Sequence, residues 1–176
     1  MSRRDGRPDD GAGVVGSDGV AHGAGPDPRR FLAHEVPYGD FEVSVIADRA
    51  VYAPGDVVRL TVTAVNQGER FVEHHYPAWQ RFRLEVLDEY HRPVADTDVD
   101  RTARGEATDR WLPGQMLLFP LYWAQHEGPV VPAWSSQPVG ERVEPGRYRA
   151  RVRWQGREPG TRAEPPEAFS PYVELR

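Results

Sequence analysis

Arg147, Arg149, Arg151 and Arg153 occupy every second position of a segment whose intervening residues are Tyr148, Ala150, Val152 and Trp154. Alternate residues of a β-strand share a face, so the segment predicts a strand with one apolar side and a row of four cations on the other. Such a row suits phosphate or an acidic partner, whose oxygens meet paired N–H donors. The favoured reading is plainer, a solvated face cross-paired with carboxylates such as Glu85. Arg149 and Arg151, at the centre of the row, are its candidate partner-binding residues.

Glu73-His74-His75-Tyr76 carries the residue types of a zinc or copper site. Neighbours on a strand point to opposite faces, so His74 and His75 would share an ion only from a loop, and no metal is expected. Ser44, Ser135, Ser136 and Ser170 offer hydroxyls, but none stands in the Gly-x-Ser-x-Gly frame of a nucleophile elbow. No glycine-rich phosphate loop leads from a strand into a helix. The chain therefore has no candidate catalytic residue and is expected to be non-enzymatic and free of cofactors.

Five tryptophans stand at 79, 111, 123, 134 and 154. Trp123 and Trp154 fall in strand patterns that would bury them. Trp79 and Trp134 fall in loops and are the candidate exposed anchors for a partner, since aromatic residues are enriched at interface hot spots. A carbohydrate platform would instead need Trp79, Trp111 and Trp134 exposed and coplanar.

With 22 arginines, no lysine and 27 acids, the chain has a formal charge of −5, which speaks against nucleic-acid binding. The absence of cysteine removes disulfides, thiolate nucleophiles and cysteine-ligated metals. Neither Arg3-Arg4 nor Arg29-Arg30 is followed by the apolar stretch of roughly 7–15 residues that an export signal needs. No run reaches the roughly 20 apolar residues of a membrane span. The expectation is a cytoplasmic protein without membrane contact.

The elements that hold these residues are punctuated by Pro-Gly pairs at Pro54-Gly55, Pro113-Gly114 and Pro145-Gly146, each read as a turn that opens a strand. Phe41, Val43 and Val45 alternate with Glu42, Ser44 and Ile46 in a first strand. Val58, Leu60, Val62 and Ala64 form the apolar side of a second, ending at Asn66. Phe82, Leu84 and Val86 point inward from a third, with Arg81, Arg83 and Glu85 outward. Pro93-Val94-Ala95 returns from a hairpin, and residues 96–108 read as loop. A strand from Gln115 to Ala124 crosses Pro120, which places it at a sheet edge or a bulge. Residues 125–142 read as an irregular insertion, and residues 158–171 as a linker before a last strand at 172–175. No window keeps a helical period. Residues 1–35, rich in Gly, Asp, Arg and Pro, read as a disordered tail. Residues 36–176 read as one all-β domain, an immunoglobulin-like antiparallel β-sandwich of about seven to eight strands.

The order of features, with Pro54-Gly55-Asp56 before a strand ending in Asn66, Gln80-Arg81-Phe82, Leu112-Pro113-Gly114 before a strand ending in Trp123, and Glu144-Pro145-Gly146-Arg147-Tyr148, resembles the BsuPI family. That family is named for an intracellular proteinase inhibitor of bacilli and is similar to an immunoglobulin-like sandwich. The resemblance covers roughly residues 41–155 and departs at Ala95–Arg101 and in the longer loop 125–142. It implies a protein-binding module whose partner is a protease. In an inhibitor of that kind a loop fills the protease cleft, and here Trp134 with Ala133 and Ser135 is the candidate. The alternatives are a carbohydrate- or surface-binding accessory domain and a structural subunit pairing through the edge at Pro120.

Overall fold

Extended structure accounts for every regular element among the described residues, which are 36–97, 105–132 and 140–176 of the computed structural model. The proposed tail, residues 1–35, lies outside them. The chain runs through β1 (Val36–Tyr38), β2 (Phe41–Ala47), β3 (Val51–Tyr52) and β4 (Val58–Asn66). There follow β5 (Val72–Tyr76), β6 (Phe82–Leu87), β7 (Pro93–Asp96), β8 (Ala107–Trp111) and β9 (Met116–Trp123). β10 (Gly128–Pro129), β11 (Val131–Pro132), β12 (Gly146–Trp154), β13 (Glu167–Phe169) and β14 (Val173–Leu175) complete the order.

One sheet has the order β1-β2-β4-β9-β11, and a second runs β10-β7-β6-β12-β14-β3 with β13 also on β12. β12 and β13 of the second sheet lie against β2 of the first, and one apolar core fills the space between. β5 and β8 form a separate two-stranded ribbon. Pairing is antiparallel throughout, except for the short parallel contacts β10–β7 and β14–β3.

The period-two segments bury the residues that their patterns assign to the core. Phe41, Val43, Val45, Val58, Leu60, Val62 and Ala64 are buried from the first sheet. Phe82, Leu84, Val86, Tyr148, Ala150, Val152 and Trp154 meet them from the second. Fully burying a side chain of this kind contributes roughly 1.5–3 kcal/mol, so two such faces suffice to hold the sandwich closed.

Four details depart from the sequence reading. The described residues hold fourteen strands, because several are only two or three residues long. β8 begins inside the stretch read as loop, since Ala107-Thr108-Asp109-Arg110-Trp111 has one large apolar residue and takes its order from pairing with β5. β10, β11 and β13 likewise lie in segments read as irregular. The third Pro-Gly pair bends the chain but is not a type II turn. Gly55 (φ 87°) and Gly114 (φ 70°) hold the positive φ that a type II turn needs, whereas Gly146 has no such φ and pairs with Leu175 in the ladder.

Pro120 is placed as an edge position requires. It stands opposite Thr61 of β4, and among the described residues only two-residue β11 pairs on the other side of β9, at Leu121 and Tyr122. Gln125, one of two non-glycine residues with positive φ (61°) among the described residues, pins the first turn. Its buried amide donates to the carbonyls of Ala53 (2.8 Å) and Asp56 (3.0 Å).

The two sheets and the ribbon meet at Trp154. Its ring lies 5.2 Å from Phe41 of β2, 5.9 Å from Tyr76 of β5, 6.3 Å from Phe82 of β6 and 5.8 Å from Trp111 of β8. His74 sits in the same cluster, 4.4 Å from Phe41, and its Nδ1 accepts a hydrogen bond from Trp154 Nε1 (3.2 Å). Burial pushes the imidazole down from its ordinary 6.5 to about 4, with the charge of Asp109 opposing the shift.

Trp154→Ala is expected to lower unfolding stability by about 3–5 kcal/mol, measured by urea titration, because the cavity would border every layer at once. A loss under about 1 kcal/mol would show that the layers do not depend on this ring. Stability should also be full above pH 6.5 and fall as pH drops toward 4, by at most about 3 kcal/mol, since the unfolded chain takes up a proton that folded His74 resists. A His74→Gln variant should flatten that limb, and an unchanged limb would count against the assignment.

Candidate functional site

Trp79 projects from the connection between β5 and β6 with 68% of its surface exposed. Its indole edge rests on the backbone at Gly105, where an added Cβ would lie 2.6 Å from Nε1. Gly105 holds φ +152°, so glycine leaves the space that the ring occupies and adopts an angle that other residues rarely take. Beside the ring opens a cavity of ≈ 270 Å³ walled by Tyr76, Arg81, Thr108 and Asp109.

The polar wall of that cavity is closed on itself. Arg81 donates twice to Asp109, from Nε (2.5 Å) and Nη2 (3.1 Å), and this hydrogen bonding raises the guanidinium's pKa. Tyr76 accepts from Trp111 Nε1 (3.4 Å), and burial pushes its phenol up. Both groups hold their protons firmly. The arrangement is suited to receiving an apolar surface against a fixed aromatic plane rather than to moving a proton.

The arginine row divides in two. Arg151 donates to Glu85 from Nε (2.9 Å) and Nη2 (2.6 Å), and Glu85 is buried beneath it at 5% exposure. Arg153 donates to Glu167 (2.9 Å), and Arg83 of β6 to Asp96 of β7 (2.7 Å). This half is the cross-paired face. Arg149 instead lies over the rings of Phe169 (4.4 Å) and Tyr172 (5.1 Å), and Arg147 over Tyr172 (4.6 Å). Among the described residues neither has a carboxylate within ion-pair distance.

Of the sequence candidates, Trp79 is displayed, Arg149 has no carboxylate partner among the described residues but contacts His91, and Arg151 is engaged. Ala133, Trp134 and Ser135 lie outside the described residues. Trp111, which a carbohydrate platform would need exposed, is 1% exposed in the core, because alternation along β8 turns it toward Trp154. Each described histidine has a structural contact. His75 pairs with Glu73 (2.9 Å), His126 Nδ1 with the Gly140 carbonyl (2.7 Å), and His91 with Arg149 Nη2 (3.2 Å). Among the described residues no three His, Cys, Asp or Glu side chains gather as a metal site.

The role of Gly105 behind Trp79 was not read from the sequence, and neither were the rings of Phe169 and Tyr172 behind the arginines. Phe169 lay in a presumed linker, and nothing in a lone glycine names the ring that will lean on it.

No protein-family model matches the chain, and no curated protein matches it. Solved structures similar to it include a β-glucosidase of Erythrobacter marinus, at 15% identity and a TM-score of 0.40 over 77% of this chain. The sporulation control protein Spo0M of Bacillus subtilis is similar at 14% identity and a TM-score of 0.44 over 78% of this chain. A CARDB domain of Pyrococcus furiosus is similar at 13% identity and a TM-score of 0.38, over 82% of this chain and 94% of that domain. The chain spans 15% of the length of the β-glucosidase and 50% of that of Spo0M.

Proposed function

We propose that this chain is a non-enzymatic protein-binding module that engages its partner through Trp79, with a proteinase as the partner class offered by its resemblance to the BsuPI family. One observation carries the reading. A tryptophan keeps 68% of its surface in solvent while its ring is braced against Gly105. An unbraced ring would lose rotamer freedom on binding, at about 0.5–1.5 kcal/mol, and bracing removes most of that penalty. Large aromatic anchors set in advance are the usual hot spots of protein interfaces. The neighbouring cavity gives room for an apolar side chain of the partner, and the closed Arg81–Asp109 pair makes a polar rim.

The test compares the full chain with Trp79→Ala, first as inhibitors of a panel of purified serine proteinases and then as baits in native lysate. Each captured protein is purified and titrated against both forms. The variant should keep its melting temperature and bind at least about ten-fold more weakly, the loss expected of a hot-spot tryptophan. Equal affinity of the two forms for every partner would remove Trp79 from the interface. A panel left uninhibited would remove the proteinase from the reading.

A further inference from the structure

We propose that the Arg147–Arg149 end of the β12 face is a docking strip for an extended acidic polypeptide segment, with carboxylates at alternate positions opposite the two guanidinium groups. The inference rests on the protein-binding reading but makes no use of Trp79.

Charge compensation on this face is segregated rather than uniform. Glu85, Asp96 and Glu167 are all spent on Arg83, Arg151 and Arg153. Two acids near the other end are engaged as well. Glu174, across the ladder from Arg147, bonds Arg176 (3.1 Å), and Asp88, below the His91 turn, bonds Arg92 (2.7 Å). Arg147 and Arg149 are thus left as two positive charges with aromatic rings for neighbours.

Those rings make a binding device of them. Tyr172 contacts both guanidinium groups, and Phe169 contacts that of Arg149. Stacking occupies the flat face of a guanidinium and leaves its in-plane N–H donors for a carboxylate. Arg149 Nε is buried without a hydrogen-bond partner and Nη2 contacts His91 (3.2 Å), so a ligand would read Arg149 chiefly through its charge. The Asp88 side chain accepts from the backbone N–H groups of Tyr90 (2.9 Å) and Arg92 (2.8 Å), which fixes the turn that holds His91 at φ 64° against Arg149.

The spacing selects the shape of the ligand. Two residues apart on one strand, Arg147 and Arg149 are offset by about 6.5–7 Å, which is also the repeat of alternate side chains in any extended peptide. β12 pairs with β6 along 149–154, with β14 along 146–148 and with β13 along 151–153, so most of its backbone groups are already taken up in ladders. The segment would lie across the face and be read through its side chains. A single small anion would engage only one of the two cations well.

The probe is an alternating Glu-Thr peptide ten residues long, titrated by calorimetry against the full chain, with the matching Gln-Thr peptide and inorganic phosphate as controls. The Glu-Thr peptide should bind, the Gln-Thr peptide should not, and affinity should fall as salt is raised. Arg147→Gln, an exposed change that removes only the contact with Tyr172, should weaken binding about five-fold or more. Arg149→Lys keeps the charge between the rings and should weaken it less, while Trp79→Ala should leave it unchanged. Equal binding of both peptides, indifference to Arg147→Gln, or phosphate binding as tightly as the peptide would overturn the proposal. Because Trp79 takes no part, failure here and failure of the Trp79 reading are told apart.

Discussion

The aromatic cluster around Trp154 is the constraint from which the rest of the molecule follows. One indole on β12 touches rings contributed by β2, β5, β6 and β8, so both sheets and the ribbon share a single contact centre. A β-sandwich needs only two inner faces. Here the ribbon is added as a cover, and it stays in place because Tyr76 and Trp111 reach the same centre. The ribbon's upper end then carries Tyr76 and Asp109 to the cavity beside Trp79. Sealing the core and presenting the candidate anchor are two consequences of one packing arrangement.

Asn66 and Glu85 are buried polar groups held by several partners each. Asn66, at the end of β4, donates to the carbonyls of Arg70 (2.8 Å) and Trp111 (3.1 Å) and accepts from Gly68 (3.0 Å). It fastens the start of the ribbon to the first sheet. Glu85 is buried under three arginines, where an unpaired carboxylate would be costly. That need accounts for part of the arginine row. The remainder, at Arg147 and Arg149, has no buried acid to neutralise, and for that reason it stands apart chemically although the four residues look alike in sequence.

Strands whose two faces differ sharply were legible from the sequence, since Val58-Arg59-Leu60-Thr61-Val62 or Tyr148-Arg149-Ala150-Arg151-Val152 announces its own register. Strands defined by their partners were not. β8 has threonine, aspartate and arginine where a pattern search expects apolar residues, and it is ordered by five residues of β5 and by Arg81. The candidate site was half legible. A tryptophan in a loop is visible as an anchor, but whether it is displayed or buried depends on long-range contacts. A carbohydrate platform would need Trp111 exposed beside Trp79, and β8 turns Trp111 inward. The division of the arginine row was hidden for the same reason, since Glu167 and Phe169 come from a stretch without period.

The core tryptophans are enclosed, whereas Trp79 stands open to solvent. Hydrogen exchange of the indole N–H groups, followed by NMR on nitrogen-15-labelled protein, tests this contrast most directly. Slow exchange is expected at Trp111, Trp123 and Trp154, whose N–H groups donate to Tyr76, the His126 carbonyl and His74, and fast exchange at Trp79. Exchange at Trp111 or Trp154 as fast as at Trp79, or protection of Trp79 in the free protein, would contradict it.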